Sequence, residues 1–125
     1  MLYTQEEKNK IHENLDKIKE YLETLQPKIR DRITVDFGAI KTYAYGDREM
    51  EFHIFVEKDN ISGRSGGLYL EYTREPISSS TTASVYEWLE YAVALIQNWQ
   101  FIKREILSKI AEQNETIDAI SNFEV

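Results

Sequence analysis

The sequence predicts an α+β fold. In chain order we expect an N-terminal helix, a three- or four-stranded antiparallel meander and a long C-terminal helix packed on the sheet. Apolar residues recur at helical spacing near both ends of the 125-residue chain, and in the middle they alternate with polar residues. The middle segments are joined by short connections, which favour antiparallel neighbours. A chain of this length is expected to form a single domain over residues 1–125.

The first helix is expected over about residues 4–26. Thr4 and Glu7 have the spacing of a capping box, in which each side chain bonds the other residue's backbone amide. Pro27 then ends the helix, because proline lacks an amide hydrogen and disfavours helical geometry in the residue before it. Between these limits the apolar residues follow helical steps: Ile11, Leu15, Ile18, Leu22 and Leu25. A stripe this short is expected to lie on the protein's own core.

Four strands are expected, over about residues 32–37, 40–45, 49–57 and 68–74. Gly38 separates the first two. The third is the most regular, and its apolar residues at every second position are Met50, Phe52, Ile54 and Val56. Residues 58–67 are rich in glycine and are expected to form a mobile hairpin loop.

A long helix is expected over about residues 85–121, because neither Gly nor Pro interrupts it. Ser84 and Glu87 have the spacing of a second capping box at its start. Between Trp88 and Ile96 the helix is apolar on nearly every side, so it needs cover on every side. Either the sheet and the first helix enclose it, or a second copy of the chain covers it in a homodimer. The residues assigned to this core or dimer surface are Trp88, Leu95, Trp99, Ile102 and Ile106.

Composition argues against several classes of protein. The 22 acidic and 15 basic residues give a net charge of −7, which argues against direct nucleic-acid binding because that binding needs Lys and Arg against phosphates. The chain has no cysteine, which excludes disulfides, thiolate chemistry and Cys-held metals. Its longest uncharged stretch, Tyr91–Ile102, is too short to span a bilayer, and its charged N-terminus lacks the apolar core of a signal peptide. A cytoplasmic protein without membrane contact is expected.

No pattern of residues in the sequence matches a catalytic or cofactor site. The two histidines fall in different elements, which excludes a His-rich metal centre. His53, with Glu51 and Glu57 on the same face of its strand, has the geometry for acid–base chemistry, but a solvent-facing strand position explains the same residues. The acidic turn around Asp47 lacks the spacing of a calcium loop. The protein is therefore expected to be non-catalytic and to use no metal or cofactor.

The residues indicate an interaction protein. The acidity and the tyrosine-rich strands favour a larger, basic partner, such as a nucleic-acid-binding defence protein, and the most specific expectation is a small acidic inhibitor that occludes its partner's functional surface. Residues with AT-rich codons (Ile, Lys, Asn, Tyr) outnumber Ala, Gly, Pro and Arg, which suits a phage or mobile-element origin. The alternatives are a dimeric acidic chaperone or adaptor, an immunity protein, and a small-ligand binder that uses the His53 face. The residues expected to contact the partner are Tyr43, Tyr45, Asp47, Glu49, Glu51, His53 and Arg64.

Overall fold

A computed structural model describes residues 3–42, 48–66, 68–72 and 82–125. In chain order the elements are helix α1 (Gln5–Leu25), strands β1 (Ile33–Thr42), β2 (Arg48–Val56), β3 (Ile61–Ser65) and β4 (Leu68–Glu71), and helices α2 (Thr82–Gln97) and α3 (Trp99–Ser121). The strands form one antiparallel sheet in the order β1-β2-β3-β4. The predicted α+β class and the meander are confirmed.

Both ends of α1 follow the sequence prediction. The Glu7 amide donates to Thr4 Oγ1 at 3.1 Å, and the Thr4 amide donates to Glu7 Oε1 at 2.8 Å. These bonds favour the ionised carboxylate, so they lower the pKa of Glu7. Pro27 lies in a 3₁₀ turn, Gln26–Lys28, that directly follows the helix. The predicted stripe is buried throughout, and Ile29 beyond the turn is buried with it.

The first two predicted strands are a single strand. β1 runs through Gly38 because a bulge absorbs one residue: Asp36 pairs with His53, Gly38 pairs with Phe52, and Phe37 between them has no partner on β2. Phe37 is buried with Ile33 and Val35, as simple alternation places it, and the bulge makes Gly38, instead of Phe37, the residue that faces Phe52. The predicted boundary at Gly38 is therefore wrong, because glycine accommodates the bulge here and does not end the strand.

The predicted mobile loop at residues 58–67 is also wrong, since it contains β3. Gly63 in β3 lies under the ring of Tyr91, and a Cβ at this position would be 1.8 Å from the Tyr91 hydroxyl oxygen. Gly66 has φ +56°, the left-handed conformation that the turn towards β4 requires. The sequence prediction took these two glycines as a sign of flexibility, whereas one provides space and the other a turn.

The predicted C-terminal helix is divided in two at Asn98. The Asn98 side chain donates to the Ala94 carbonyl at 2.8 Å, which is the local side-chain bond that makes asparagine a poor residue inside a helix. The start also differs, because α2 begins at Thr82. Ser84 therefore lies within the first turn and is not the N-cap. The outer end, Ser121, is as predicted.

Helix α2 lies between the sheet and α1. Trp88 stacks on His12 of α1 with ring centroids 5.1 Å apart, and its indole nitrogen donates to the Glu71 carbonyl of β4 at 3.3 Å. Tyr91 donates to the His53 carbonyl of β2 at 3.0 Å. Of the residues assigned to a core or dimer surface, Trp88, Leu95, Ile102 and Ile106 are buried within the chain and Trp99 is half-buried.

Helix α3 packs along β1 and the turn that precedes it. Lys109 donates to the Thr34 carbonyl at 2.6 Å. The Gln113 amide group accepts from the amides of Arg30 and Asp31 and donates to the Asp31 carbonyl. Among the described residues, no helix is long and apolar enough to cross a membrane.

Candidate functional site

The face of the sheet opposite the helices carries the candidate site. Along β2, the apolar Phe52, Ile54 and Val56 are buried in the core, so Glu51, His53 and Phe55 point to the other side. We call the side chains on that side the outer sheet face. Those described on the four strands are Thr34, Asp36, Ala39, Glu49, Glu51, His53, Phe55, Ser62, Arg64, Tyr69 and Glu71.

His53 lies between two carboxylates. Its Nδ1 contacts Asp36 Oδ1, which the β1–β2 register places directly across the ladder, and its Nε2 is 3.5 Å from Glu51 Oε2. The His53 side chain is 22% exposed, whereas both carboxylates are mostly exposed. A neutral imidazole donates from one nitrogen and an imidazolium from both, so only the protonated ring can donate to the two carboxylates together.

A shallow cleft of about 480 Å³ surrounds His53. Its lining residues, which we call the acidic cleft, are Thr34, Asp36, Glu49, Glu51, His53, Phe55, Arg64 and Gly66. Arg64 bends along the surface and donates from Nε to the Gly66 carbonyl at 3.0 Å. Three carboxylates therefore face one guanidinium group, and the cleft has an excess of negative charge.

Phe55 and Glu57 hold an arginine at the side of this cleft. The Arg32 guanidinium lies 4.0 Å from the centre of the Phe55 ring, and its Nε is 3.6 Å from Glu57 Oε1. Glu57, which the sequence places on the same strand face as His53, therefore pairs with Arg32, and the carboxylates beside His53 are those of Asp36 and Glu51. The arrangement combines a cation–π contact with an ion pair.

The structure brings together four of the seven residues predicted to contact a partner. Glu49, Glu51, His53 and Arg64 all line the acidic cleft, whereas Tyr43, Tyr45 and Asp47 lie outside the described residues. The sequence reasoning missed Asp36. Its alternation with Val35 and Phe37 places it on the polar side of its strand, but pairing it with His53 requires the register that the bulge sets.

Tyr69 marks the other end of the outer sheet face. Its ring is 59% exposed, and its hydroxyl donates to the buried Ser62 Oγ at 2.6 Å. Between this ring and the end of α1 lies a second, polar groove of about 510 Å³, bordered by Lys19, Glu23 and Glu71. The outer sheet face thus has an aromatic side chain at each end, Phe55 and Tyr69, with charged groups between and beside them.

No family model, curated protein or solved structure matches this chain. What the site can do therefore has to be argued from its own geometry. Among the described side chains, no group of three or more His, Asp or Glu residues is placed to hold a metal ion. Of the cleft-lining groups, Thr34 supplies a hydroxyl, but both ring nitrogens of His53 face carboxylates. This arrangement suits the binding of a cation better than the activation of a nucleophile.

Proposed function

We propose that this chain is a non-catalytic interaction protein that binds a larger, basic protein through its outer sheet face. The observation that carries the proposal is the one-sided covering of the sheet. The core lies on the helix side of the four strands, and the opposite side is left with exposed carboxylates around His53. An antiparallel sheet tolerates one solvated face, so this face is available to a partner without rearrangement of the fold.

The charges of this face favour a partner rich in Lys and Arg. Among the side chains described on its strands, four are carboxylates, at Asp36, Glu49, Glu51 and Glu71, and one is a guanidinium, at Arg64. Such a field accelerates encounter with a basic surface. The Arg32–Phe55–Glu57 arrangement supports the same direction, because it is an intramolecular example of a guanidinium bound by a ring and a carboxylate.

The finer form of the proposal is a small inhibitor that occludes the functional surface of its partner. Carboxylates on paired strands are held at fixed spacings, so they can occupy positions on a basic surface that phosphates otherwise fill. A nucleic-acid-binding defence protein is such a partner, and an inhibitor of it suits a phage or mobile-element origin. The helix-covered side supplies the rigidity and the outer sheet face supplies the contacts.

The experiment compares co-purification from the native host cells for three tagged chains. One is the unaltered chain, and the second carries Asp36→Asn, Glu49→Gln and Glu51→Gln, which we call the cleft variant. The third is a control with the same change of charge on exposed positions of α1: Glu13→Gln, Asp16→Asn and Glu20→Gln. We expect a stoichiometric basic protein with the unaltered chain and the control, and its loss from the cleft variant. Equal recovery with all three chains would contradict the proposal.

A second candidate is a small-ligand binder that uses the acidic cleft, and the position of His53 between Asp36 and Glu51 favours it. A cationic ligand would fit the charge of the cleft. Titration of isotope-labelled protein with arginine or spermidine, followed by NMR, tests this function. Saturable shifts confined to the cleft, and absent in a His53→Ala variant, would favour the small ligand. The dimeric chaperone or adaptor stays an alternative, although Trp88, Leu89, Tyr91, Ala92 and Leu95 of α2 are buried within the chain and do not need a second copy to cover them.

A further inference from the structure

The outer end of α3 projects beyond the core. Ile110 is the last buried residue of the helix, and Gln113 is the last whose side chain hydrogen-bonds to another described element. The helix continues to Ser121. Eight more residues at 1.5 Å each give roughly 12 Å of helix, or two turns, past that last hydrogen bond.

This end is amphipathic and acidic. The stripe that begins at Ile102 in the core continues on the same side of the helix through Ile117 and Ile120. Phe123 follows just beyond the C-cap, Asn122. Ile120 and Phe123 are 73% and 76% exposed. Residues 111–124, which we call the projecting segment, carry the carboxylates of Glu112, Glu115, Asp118 and Glu124 and no basic side chain. Its charge of −4 accounts for more than half of the chain's −7.

The free segment has an unfavourable electrostatic arrangement. The last carbonyls of a helix carry partial negative charge, and the last turn of α3 has no basic residue to offset it. Asp118 adds a like charge there. Helical turns with little tertiary packing are also marginal by themselves, and of the residues in these two turns only Asn114 and Ile117 are partly buried. A basic group supplied from outside would improve the helix that the chain cannot stabilise alone.

A second copy of the chain is a poor occupant for this stripe. Pairing two projecting segments would bring eight carboxylates together without a basic residue. The stripe is also short, since a stable pair requires roughly 800 Å² from each partner and two exposed side chains supply much less. A groove that encloses the helix on several sides buries more of such a stripe than a second helix laid along it.

We propose that the projecting segment docks as a helix into an apolar groove of a partner protein whose sides carry Lys or Arg. Ile117, Ile120 and Phe123 enter the groove. The basic side chains meet the flanking carboxylates and the terminal carbonyls of α3. This surface is separate from the outer sheet face, so the inference does not rest on the function proposed above.

The test uses designed helical hairpins as probes. One hairpin has a Leu-lined groove bordered by Lys, and a matched hairpin has the same groove bordered by Glu. We expect the full chain to bind the Lys hairpin, with slower amide hydrogen exchange at residues 114–121 and affinity that falls with added salt. We expect binding to the Glu hairpin to be about tenfold weaker or more.

Variants separate the segment from the rest of the chain. Ile117→Ser with Ile120→Ser should weaken binding of the Lys hairpin by about tenfold or more. Leu107→Ser with Phe101→Ser, which alters exposed apolar residues on other sides of α3, should not. The cleft variant should bind normally, so failure here and failure of the sheet-face proposal are distinguishable.

Charge reversal gives a readout that a purely structural role would not produce. Glu115→Lys with Asp118→Lys should slow amide exchange in the free segment, because it improves the helix end, and should weaken binding of the Lys hairpin about fivefold or more. Equal binding of both hairpins, or normal binding by the Ile117 and Ile120 variant, would overturn the inference. Sedimentation that shows a dimer abolished by that variant would assign the stripe to a second copy.

Discussion

At the scale of single residues, Gly63 packs more closely against its neighbour, Tyr91, than any other glycine that the structure describes. A Cβ at residue 63 would meet the hydroxyl oxygen of a buried, hydrogen-bonded ring at 1.8 Å. Gly63→Ala should therefore destabilise the fold by about 3 kcal/mol, the upper end of the usual cost of overpacking. Urea unfolding measures the change.

The matched control is Gly38→Ala. A Cβ at residue 38 would lie 3.7 Å from the Phe52 ring, which is ordinary contact. Its free energy of unfolding should change much less than that of Gly63→Ala. Similar losses at the two glycines would show that β3 does not pack on α2 as described.

Two buried phenols make the fold sensitive to alkaline pH. Burial, together with the charges of Glu23 and Asp16, raises the pKa of Tyr72, and burial raises the pKa of Tyr91. The unfolded chain releases these protons near pH 10 and the folded chain holds them to higher pH. The stabilising contribution is thus complete below about pH 10 and falls above it, by about 1.4 kcal/mol per pH unit for each tyrosine. Urea midpoints between pH 8 and 11 test this, and Tyr91→Phe should reduce the slope.

Residues whose role depends on neighbours in sequence could be predicted, and those whose role depends on neighbours in space could not. The capping pair Thr4 and Glu7 was readable because both bonds close within three residues. Gly63 was misread because the ring that needs its missing side chain lies on a helix far along the chain. Asp36 was missed as a partner of His53 for the same reason.

At the scale of elements, the two tryptophans contribute different amounts to the stability of the fold. Trp88 is buried between α1, α2 and β4, so Trp88→Ala should cost about 3 to 5 kcal/mol. Trp99 is half-buried at the start of α3 and meets Tyr21 edge-on at 5.7 Å. Trp99→Ala should cost about 1 to 2 kcal/mol. Thermal or urea unfolding compares them, and a larger loss at Trp99 would contradict the burial described here.

One side chain ties α3 to the turn between α1 and β1. Gln113 makes three hydrogen bonds to the backbone of Arg30 and Asp31. Gln113→Ala should lower the free energy of unfolding by about 1 to 2 kcal/mol, because the turn amides lose their partner. Gln100→Ala, at an exposed position of the same helix, should be nearly neutral. An equal effect of the two substitutions would mean that the turn is held by other contacts.

The order and type of the elements were predictable because they follow from periodicity, but their interruptions were not. The continuous β1 contains a bulge at Phe37, which shifts the pairing with β2 by one residue so that Gly38 faces Phe52. The break between α2 and α3 depends on Asn98 bonding the Ala94 carbonyl. Neither the bulge nor the helix break changes the local pattern of apolar residues. The periodicity that predicts the elements therefore cannot reveal these interruptions.

At the scale of the whole molecule, the fold separates stability from exposed charge. The buried residues lie on the helix side of the sheet, and the carboxylates around His53 lie on the other. The cleft variant should therefore unfold within about 0.5 kcal/mol of the unaltered chain, since exposed substitutions away from the core have small effects. A clear loss of stability would mean that the His53 ion pairs support the fold itself.

The candidate site was predictable only as a region. Alternation in β2 predicted that His53, Glu49 and Glu51 lie on one side of the sheet. Their side is opposite the apolar residues of β2, on which the helices pack. The width of the acidic cleft depends on which residue of β1 faces which residue of β2, and the bulge decides that register. Sequence pattern therefore gave the charge of the surface, while the structure gave its geometry.

Helix side chains bond to the backbone of both outermost strands of the sheet. Lys109 donates to the Thr34 carbonyl of β1, and the Trp88 indole donates to the Glu71 carbonyl of β4. Outer strands with open backbone groups are templates on which further strands add, and charged or bulky side chains at the margin discourage that growth. Each margin of this sheet has a helix side chain bonded to its backbone. We therefore expect the folded chain to resist the addition of further strands at either margin of its sheet.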